Sequence, residues 1–279
     1  YSGKTVLITG ASGGLGKCLA YQLAHCGVST LVLCGRNDDA LRAVEEECKN
    51  IARFSSNEII IIHRLVCDLG DKESVLDMVK QALLLCHNRI DVLINNGGVS
   101  SRSKFLDTAM DVDEKVMQIN FFAGTILAKG IVPGMVDRRY GKIIWISSVQ
   151  GLFGIPNRTS YAASKFAVQG YCEALRSELA PSGITVHVAS PGYINTNLSQ
   201  SAVMGDGKTL YGKTDATTAG GADPNDVAID VLTRSSGESK DFMTAISISA
   251  RVALWLKFFA PSVLHKLLVK RFLNSEEQE

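Results

Sequence analysis

The chain predicts an α/β fold: a doubly wound parallel sheet in a single domain, with a helical extension at its C-terminal end. Three observations carry that expectation. Short, almost wholly apolar runs alternate with amphipathic stretches of helical length, the pattern of strands covered on both faces and joined by crossover helices. A glycine-rich turn, Thr9–Gly16 (TGASGGLG), follows the first of those runs. A Tyr161-x-x-x-Lys165 pair comes soon after the apolar run that leads to Ser148 (KIIWISS).

In chain order, Thr5–Thr9 (TVLIT) reads as the first strand. The glycine turn then opens a helix, Leu15–His25, whose N-terminus and bare backbone can meet a pyrophosphate, so the sheet is expected to be Rossmann-type. Thr30–Cys34 is the second strand and Asp38–Asn50 the second helix. Ile59–Val66 is the third strand, followed by a helix over Lys72–Cys86 that Asp71 is placed to cap. Val92–Asn95, Lys142–Ser147 and Thr185–Ser190 complete six strands, separated by helices over Val112–Val136 and Tyr161–Leu179. The alternation implies right-handed crossovers. Residues 1–240 are expected to form the dinucleotide-binding and catalytic domain, and residues 241–279 an apolar, basic helical extension. Asn195–Asp223, rich in Gly, Thr, Ser and Asp, has little periodicity, and a loop of that length suggests a substrate lid.

Bulk properties exclude some partners. The formal charge is +1, so no global field steers nucleic acid to the chain. Seven cysteines form no C-x-x-C pair and fall mostly in apolar contexts, as reduced core thiols do. No metal site is expected. No stretch reads as the roughly 18–20 apolar residues of a spanning helix. The first residue is Tyr1 rather than Met, and a targeting or anchoring segment is expected to precede it.

The turn makes Gly10, Ser12, Gly13, Gly14, Leu15 and Gly16 candidate contacts to a dinucleotide. An acidic residue at the tip of the second strand would bind the ribose 2′-hydroxyl of NAD. Arg36 stands there instead, next to Asn37, and an arginine accommodates a 2′-phosphate, which favours NADP(H) over NAD(H). Asp38 and Asp39 could pair with Arg36 and soften that preference. Asp68, beside Leu69, is placed to accept from the adenine amino group, and Asn96 and Gly97 close the fourth strand.

Tyr161 and Lys165 share one helix face. A free tyrosine titrates near 10, and a neighbouring ammonium lowers that value. Tyr161 can then act as general acid for carbonyl reduction and as base for alcohol oxidation. Ser148 can hydrogen-bond the substrate oxygen.

The ordered set of glycine turn, N-N-x-G, Asn, Ser, Y-x-x-x-K and P-G resembles the short-chain dehydrogenase/reductase family from about Thr5 to Thr233. The resemblance implies a catalytic role for Asn120 (QINFFAG), which would hold the lysine's water through a backbone kink. It also implies nicotinamide contacts from Pro191, Gly192, Ile194 and Thr196, and ribose contacts from Tyr161 and Lys165. Two departures stand out: Gly97 replaces the family's alanine, and Gly13 occupies a position where NADP-preferring members often carry a basic residue. More narrowly, RTSYAASK and SPGYINTNLS are similar to the dehydrogenase/reductase member 7 group, which resembles the microsomal reductases of steroids and retinoids. This implies an oxidoreductase of CH–OH groups, associated with the endoplasmic reticulum membrane through a segment before Tyr1, and a homodimer or homotetramer built on the two long helices. A cytoplasmic enzyme is the alternative. Asn157 and Asn197 head glycosylation sequons beside the expected pocket, where glycans would obstruct entry, which favours a cytosol-facing site.

Phe153 and Leu198, with Ile155 and Leu210 nearby, are expected to wall the pocket for a lipophilic substrate. In the tail, Val263, Leu264, Leu267, Leu268 and Phe272 recur at helical spacing, with His265, Lys266, Lys270 and Arg271 opposite. Contact with a membrane interface through residues 251–273 is expected, or packing on the chain's own domain or on a second subunit. The rival functional reading is a catalytically silent NADP(H) sensor or membrane-associated scaffold. An intact set of Asn120, Ser148, Tyr161 and Lys165 argues against it.

Overall fold

The computed structural model describes residues 1–55, 59–214, 216–237 and 240–276. Seven strands form one sheet: β1 (Thr5–Thr9), β2 (Thr30–Gly35), β3 (Ile61–Val66), β4 (Val92–Asn95), β6 (Gly141–Ile146), β7 (Ile184–Pro191) and β9 (Asp241–Thr244). All pairs are parallel, in the order β3-β2-β1-β4-β6-β7-β9. A two-residue ladder, β5 (Ser101–Arg102) with β8 (Val203–Met204), lies outside the sheet. β1 and β4 are buried at every residue, which their apolar runs require.

Helices α1 (Gly14–His25), α2 (Asp38–Ser55) and α8 (Pro224–Ser236) contribute to the core on one face of the sheet. α3 (Lys72–Leu85), α5 (Ala123–Asp137) and α6 (Thr159–Leu179) contribute to the other. Asp71 caps α3, accepting from the Glu73 N–H at 3.0 Å. Asn37, expected at the nucleotide, turns its Oδ1 to the Ala40 N–H at 3.0 Å and so secures the first turn of α2.

The sheet extends past the expected boundary at residue 240. β9 pairs with β7, and the helical extension begins only at α9 (Ile248–Phe259), followed by α10 (Pro261–Glu276). α8 is a further helix that the sequence pattern did not single out, although Asp223 caps it through the Asn225 N–H at 2.7 Å and Pro224 takes its first position.

The long helix before β6 is three segments: α4 (Met110–Met117), a π-turn over Gln118–Phe122, and α5. By length and composition Met110–Asp137 is long and apolar enough to cross a membrane, with a mean hydropathy of 1.4 over its best 18-residue window, contrary to the expectation that no stretch would qualify. Half of that window is buried. α4 and α5 pack against α6 and α3 respectively, and Asn120 lies in the π-turn between them.

The expected lid over 195–223 has more structure than its composition suggests, although Asp215 lies outside the described residues. Val203 N–H donates to the Ser100 carbonyl at 2.9 Å, and β8 joins β5. Asp206 Oδ1 accepts from the Lys208 and Thr209 N–H groups at 2.9 and 2.8 Å, and these bonds, with one from the Thr209 hydroxyl, hold its carboxyl down at about 2. A short helix, α7 (Ala216–Ala219), precedes α8.

Candidate active site

A cavity of about 630 Å³ opens along the carboxyl ends of the strands, the edge where open α/β sheets bind ligands. Its cofactor half is built by close backbone approach. Gly10 and Gly14 have φ of +67° and +51°, a region that favours glycine. A Cβ at Gly16 would lie 2.1 Å from the Gly10 carbonyl oxygen, so only glycine lets α1 seat this near the turn. Gly16 therefore shapes the turn without itself lining the cavity. Nothing lies within 4 Å of a Cβ built at Gly13, which leaves open space over the turn. Asn96 holds the turn together: its Nδ2 donates to the Thr9 carbonyl at 2.9 Å. The end of β4 is tied further by the Gly97 N–H, which donates to Thr9 Oγ1 at 2.9 Å. A Cβ at Gly97 would meet Leu69 Cδ1 at 2.4 Å, so the glycine in place of the family's alanine gives Leu69 its room.

Gly10, Ser12, Gly13, Gly14, Leu15, Arg36, Asp68, Leu69, Asn96, Gly97, Pro191, Gly192, Ile194 and Thr196 all line this cavity. Lys17, in the first turn of α1, lines it too and is an addition to the expected set. A cation that close behind the glycine turn was the available signal. Asp38 is engaged elsewhere, facing Arg42 at 3.7 Å and Arg64 at 3.5 Å, rather than pairing with Arg36.

At the chemical end, Asn120, Ser148, Tyr161 and Lys165 are all buried. α6 supplies Tyr161 and Lys165, the turn just past β6 supplies Ser148, and the π-turn supplies Asn120. The Tyr161 hydroxyl lies within the influence of Ser148, whose Oγ accepts from the Gln150 N–H at 3.1 Å. Lys165 Nζ lies 5.7 Å from the centroid of the Tyr161 ring and donates to the Ile146 carbonyl at 2.9 Å. A Cβ at Gly98 would lie 3.0 Å from Asn120 Oδ1 and 3.6 Å from Lys165 Nζ, so both groups converge beneath that glycine. The Asn120 side chain is committed to the framework. Its Oδ1 accepts from the Val99 N–H at 2.8 Å, and its Nδ2 donates to the Val99 carbonyl and Ser164 Oγ, each at 2.9 Å. The π-turn shifts the helix ladder, with the Ala123 N–H reaching back to the Gln118 carbonyl.

Burial raises the Tyr161 pKa, while the Ser148 hydroxyl and the charge of Arg158 pull it down. Burial also pushes Lys165 down to about 8. Arg158 is the residue that sequence reasoning missed here. It immediately precedes α6, is buried, lines the cavity and lies over the Tyr193 ring at 5.7 Å. Arg102 also lines the cavity, donating to Ser199 Oγ at 3.1 Å. Leu198 and Ile155 line it as expected. Phe153 does not: it packs with Val149 and Ile155 against Ile246, Ala250, Ala253 and Leu254 of the C-terminal extension. That partner surface could not be foreseen from a local pattern.

The family model for short chain dehydrogenases matches residues 4–206. The chain belongs to the short-chain dehydrogenase/reductase family. It is therefore an oxidoreductase of the dehydrogenase/reductase type. This short-chain dehydrogenase is similar to a dehydrogenase/reductase SDR family protein 7-like of Anopheles gambiae, 46% identical over 272 residues, which span 97% of this chain and 83% of that protein. It is 41% identical over 266 residues to dehydrogenase/reductase SDR family member 7B of Xenopus laevis, covering 95% and 81% of the two chains. Among solved structures it is similar to a short-chain dehydrogenase from Sphingobium yanoikuyae in complex with NADPH, with 27% identity, a TM-score of 0.73, and coverage of 89% of this chain and 91% of that one. The residues of the cavity fit a nicotinamide dinucleotide: bare glycines and a helix N-terminus suit a pyrophosphate, and Arg36 and Lys17 line the same half.

Proposed function

We propose that this short-chain dehydrogenase interconverts a carbonyl and an alcohol with NADP(H), with Tyr161 as general acid and base. The observation that carries this is a buried Tyr161 beside Ser148 and Lys165, within the field of Arg158. When bound, the nicotinamide supplies or accepts the hydride. Ser148 orients the substrate oxygen and Tyr161 hands it a proton. Lys165 holds the ribose and biases the tyrosine toward its phenolate. Asn120 completes the proton relay through its main chain at the π-turn. Pro191, Gly192, Ile194 and Thr196 hold the carboxamide end.

Arg36 and Lys17 on the cavity wall, with Asp38 drawn to Arg42 and Arg64, support NADP(H) over NAD(H). Arg36→Glu is expected to raise KM for NADPH by about 10–100-fold, the loss of one charge-assisted contact, with KM for NADH unchanged. Equal KM changes for both cofactors would remove Arg36 from the 2′-phosphate site.

The substrate side supports an amphiphilic carbonyl compound. Ile155 and Leu198 offer apolar contacts, while Arg158 and Arg102 make part of the same wall polar. Arg158 also tunes the base. Alcohol oxidation needs the phenolate, so its rate rises with pH through the Tyr161 pKa. Arg158→Met removes a charge that lowers that pKa and is expected to move the rising limb of kcat to higher pH. An unshifted limb would assign Arg158 to substrate binding alone.

Association with the endoplasmic reticulum membrane, with a cytoplasmic site as the alternative, and a homodimer or homotetramer complete this reading. A silent sensor would have no need of the assembled Asn120, Ser148, Tyr161 and Lys165. The deciding experiment is NADPH oxidation across steroid ketones, retinaldehyde, quinones, short aldehydes and ketones bearing carboxylate or phosphate, with Tyr161→Phe in parallel. Tight NADPH binding without turnover on any of them would favour the sensor.

A further inference from the structure

α9 is apolar on two sides. One side, with Ala250, Ala253 and Leu254, packs on Val149, Phe153 and Ile155 beside the pocket wall. Lys257 ties that side down, donating to the Leu152 carbonyl and lying over the Phe166 ring at 4.6 Å. The opposite side carries Ile248, Val252, Trp255 and Phe259 at helical spacing, with Phe258 at its margin. Trp255, Phe258 and Phe259 are 58%, 75% and 72% exposed. On α10 the stripe expected from the sequence divides: Leu264 is buried, whereas Val263 and Leu267 are turned outward. The exposed residues Lys266 and Lys270 share that outward side. Arg271, in the second half of α10, reaches Tyr193 of the cavity wall at 3.5 Å.

We propose that the outward face of the α9–α10 hairpin docks on an anionic phospholipid bilayer, with Trp255, Phe258 and Phe259 entering the interface beside the substrate pocket. This deepens the membrane association proposed above, on which it rests, by naming the surface that makes the contact. Charge selects the occupant. From Phe242 to Ser275 there is no Asp or Glu, while Arg251, Lys266 and Lys270 are basic and exposed. Basic groups flanking exposed aromatics suit anionic headgroups over an acyl boundary. A second copy seated isologously on the same face would set these cations against their own counterparts. A contiguous set of exposed large apolar side chains also marks an interaction surface.

The chain has two tryptophans, and Trp145 is buried in the core, so a change in emission on adding vesicles reports Trp255. The full chain is titrated with phosphatidylcholine vesicles with and without phosphatidylserine, some with brominated acyl chains. The expected result is a blue shift and quenching of Trp255 that needs phosphatidylserine and weakens with salt. Co-sedimentation should fall roughly tenfold or more in a Trp255→Ser, Phe258→Ser, Phe259→Ser variant, with turnover of a water-soluble carbonyl retained. Absence of quenching by brominated chains overturns the proposal, even if the chain sediments, because another surface is then responsible. So does a fall in mass by light scattering in the triple variant without change in sedimentation, which assigns the face to a second copy. Neither failure bears on the catalytic reading, or on membrane association through any other part of the protein.

Discussion

Tyr161→Phe should lower turnover by about 10²–10⁴-fold, the range of a single general acid or base, and leave NADPH affinity within about twofold. The change deletes one oxygen from a buried ring. The neighbouring Ser148 keeps the Gln150 N–H, so no framework contact is abandoned. The cofactor half rests on the glycine turn and the ends of β1, β2 and β4, which do not depend on the phenol. Single-turnover reduction with bound NADPH and fluorescence titration of NADPH measure the two quantities separately. Retention of most turnover would remove Tyr161 from the proton-transfer role and return attention to Ser148 or to a water held near Lys165.

Lys165→Met should abolish turnover to a similar degree yet make the folded chain more stable at neutral pH. Burial pushes Lys165 to about 8, against roughly 10.4 for a lysine in the unfolded chain. Below pH 8 the lysine is protonated in both states, and the folded state carries the full cost of burying its charge, on the order of 3 kcal/mol. Losing the hydrogen bond to the Ile146 carbonyl offsets about 1 kcal/mol of this. A gain of about 2 kcal/mol remains for the methionine variant at pH 7. That gain should shrink as pH rises from about 8 toward roughly 10.4, where the wild-type lysine loses its proton in both states. Urea unfolding at pH 7 and pH 10 reads the difference directly. A variant less stable than wild type at pH 7 would show that the lysine's contacts outweigh its burial. The lysine would then be a stabilising group as well as an active one, rather than a costly one.

These two expectations rest on residues that the sequence already placed together. Tyr161 and Lys165 are four apart on one helix, and Ser148 follows the preceding strand by two residues; such spacings are set by covalent geometry and helix period. The glycine turn was legible for the same reason, since positive φ and close backbone approach admit few other residues. β1, β2, β4, β6 and β7 were legible because strands covered on both faces must be apolar throughout. β9 was not: DFMT has only four residues, alternately exposed at the sheet edge, and resembles many loop segments. The π-turn at Asn120 leaves no mark in hydrophobic periodicity. Asn37 looked like a ligand because it follows Arg36, but its side chain is taken by the start of α2.

By itself the sequence determined the sheet's strand and helix alternation, the glycine turn, and the spacing of Ser148, Tyr161 and Lys165, because each follows from local pattern and residue chemistry; Asn120 was marked by the family resemblance alone. Only the tertiary structure decided which groups of distant origin share a site. It brought Arg158 and Arg102 to the substrate side and Lys17 to the cofactor side, and it drew Asp38 away from Arg36 by ion pairs with Arg42 and Arg64. It withdrew Phe153 into the contact beneath α9, and it chose which of α9's two apolar sides would be covered. A side chain's burial and its electrostatic surroundings depend on the elements packed against it. Those elements come from far along the chain, beyond the reach of any local pattern.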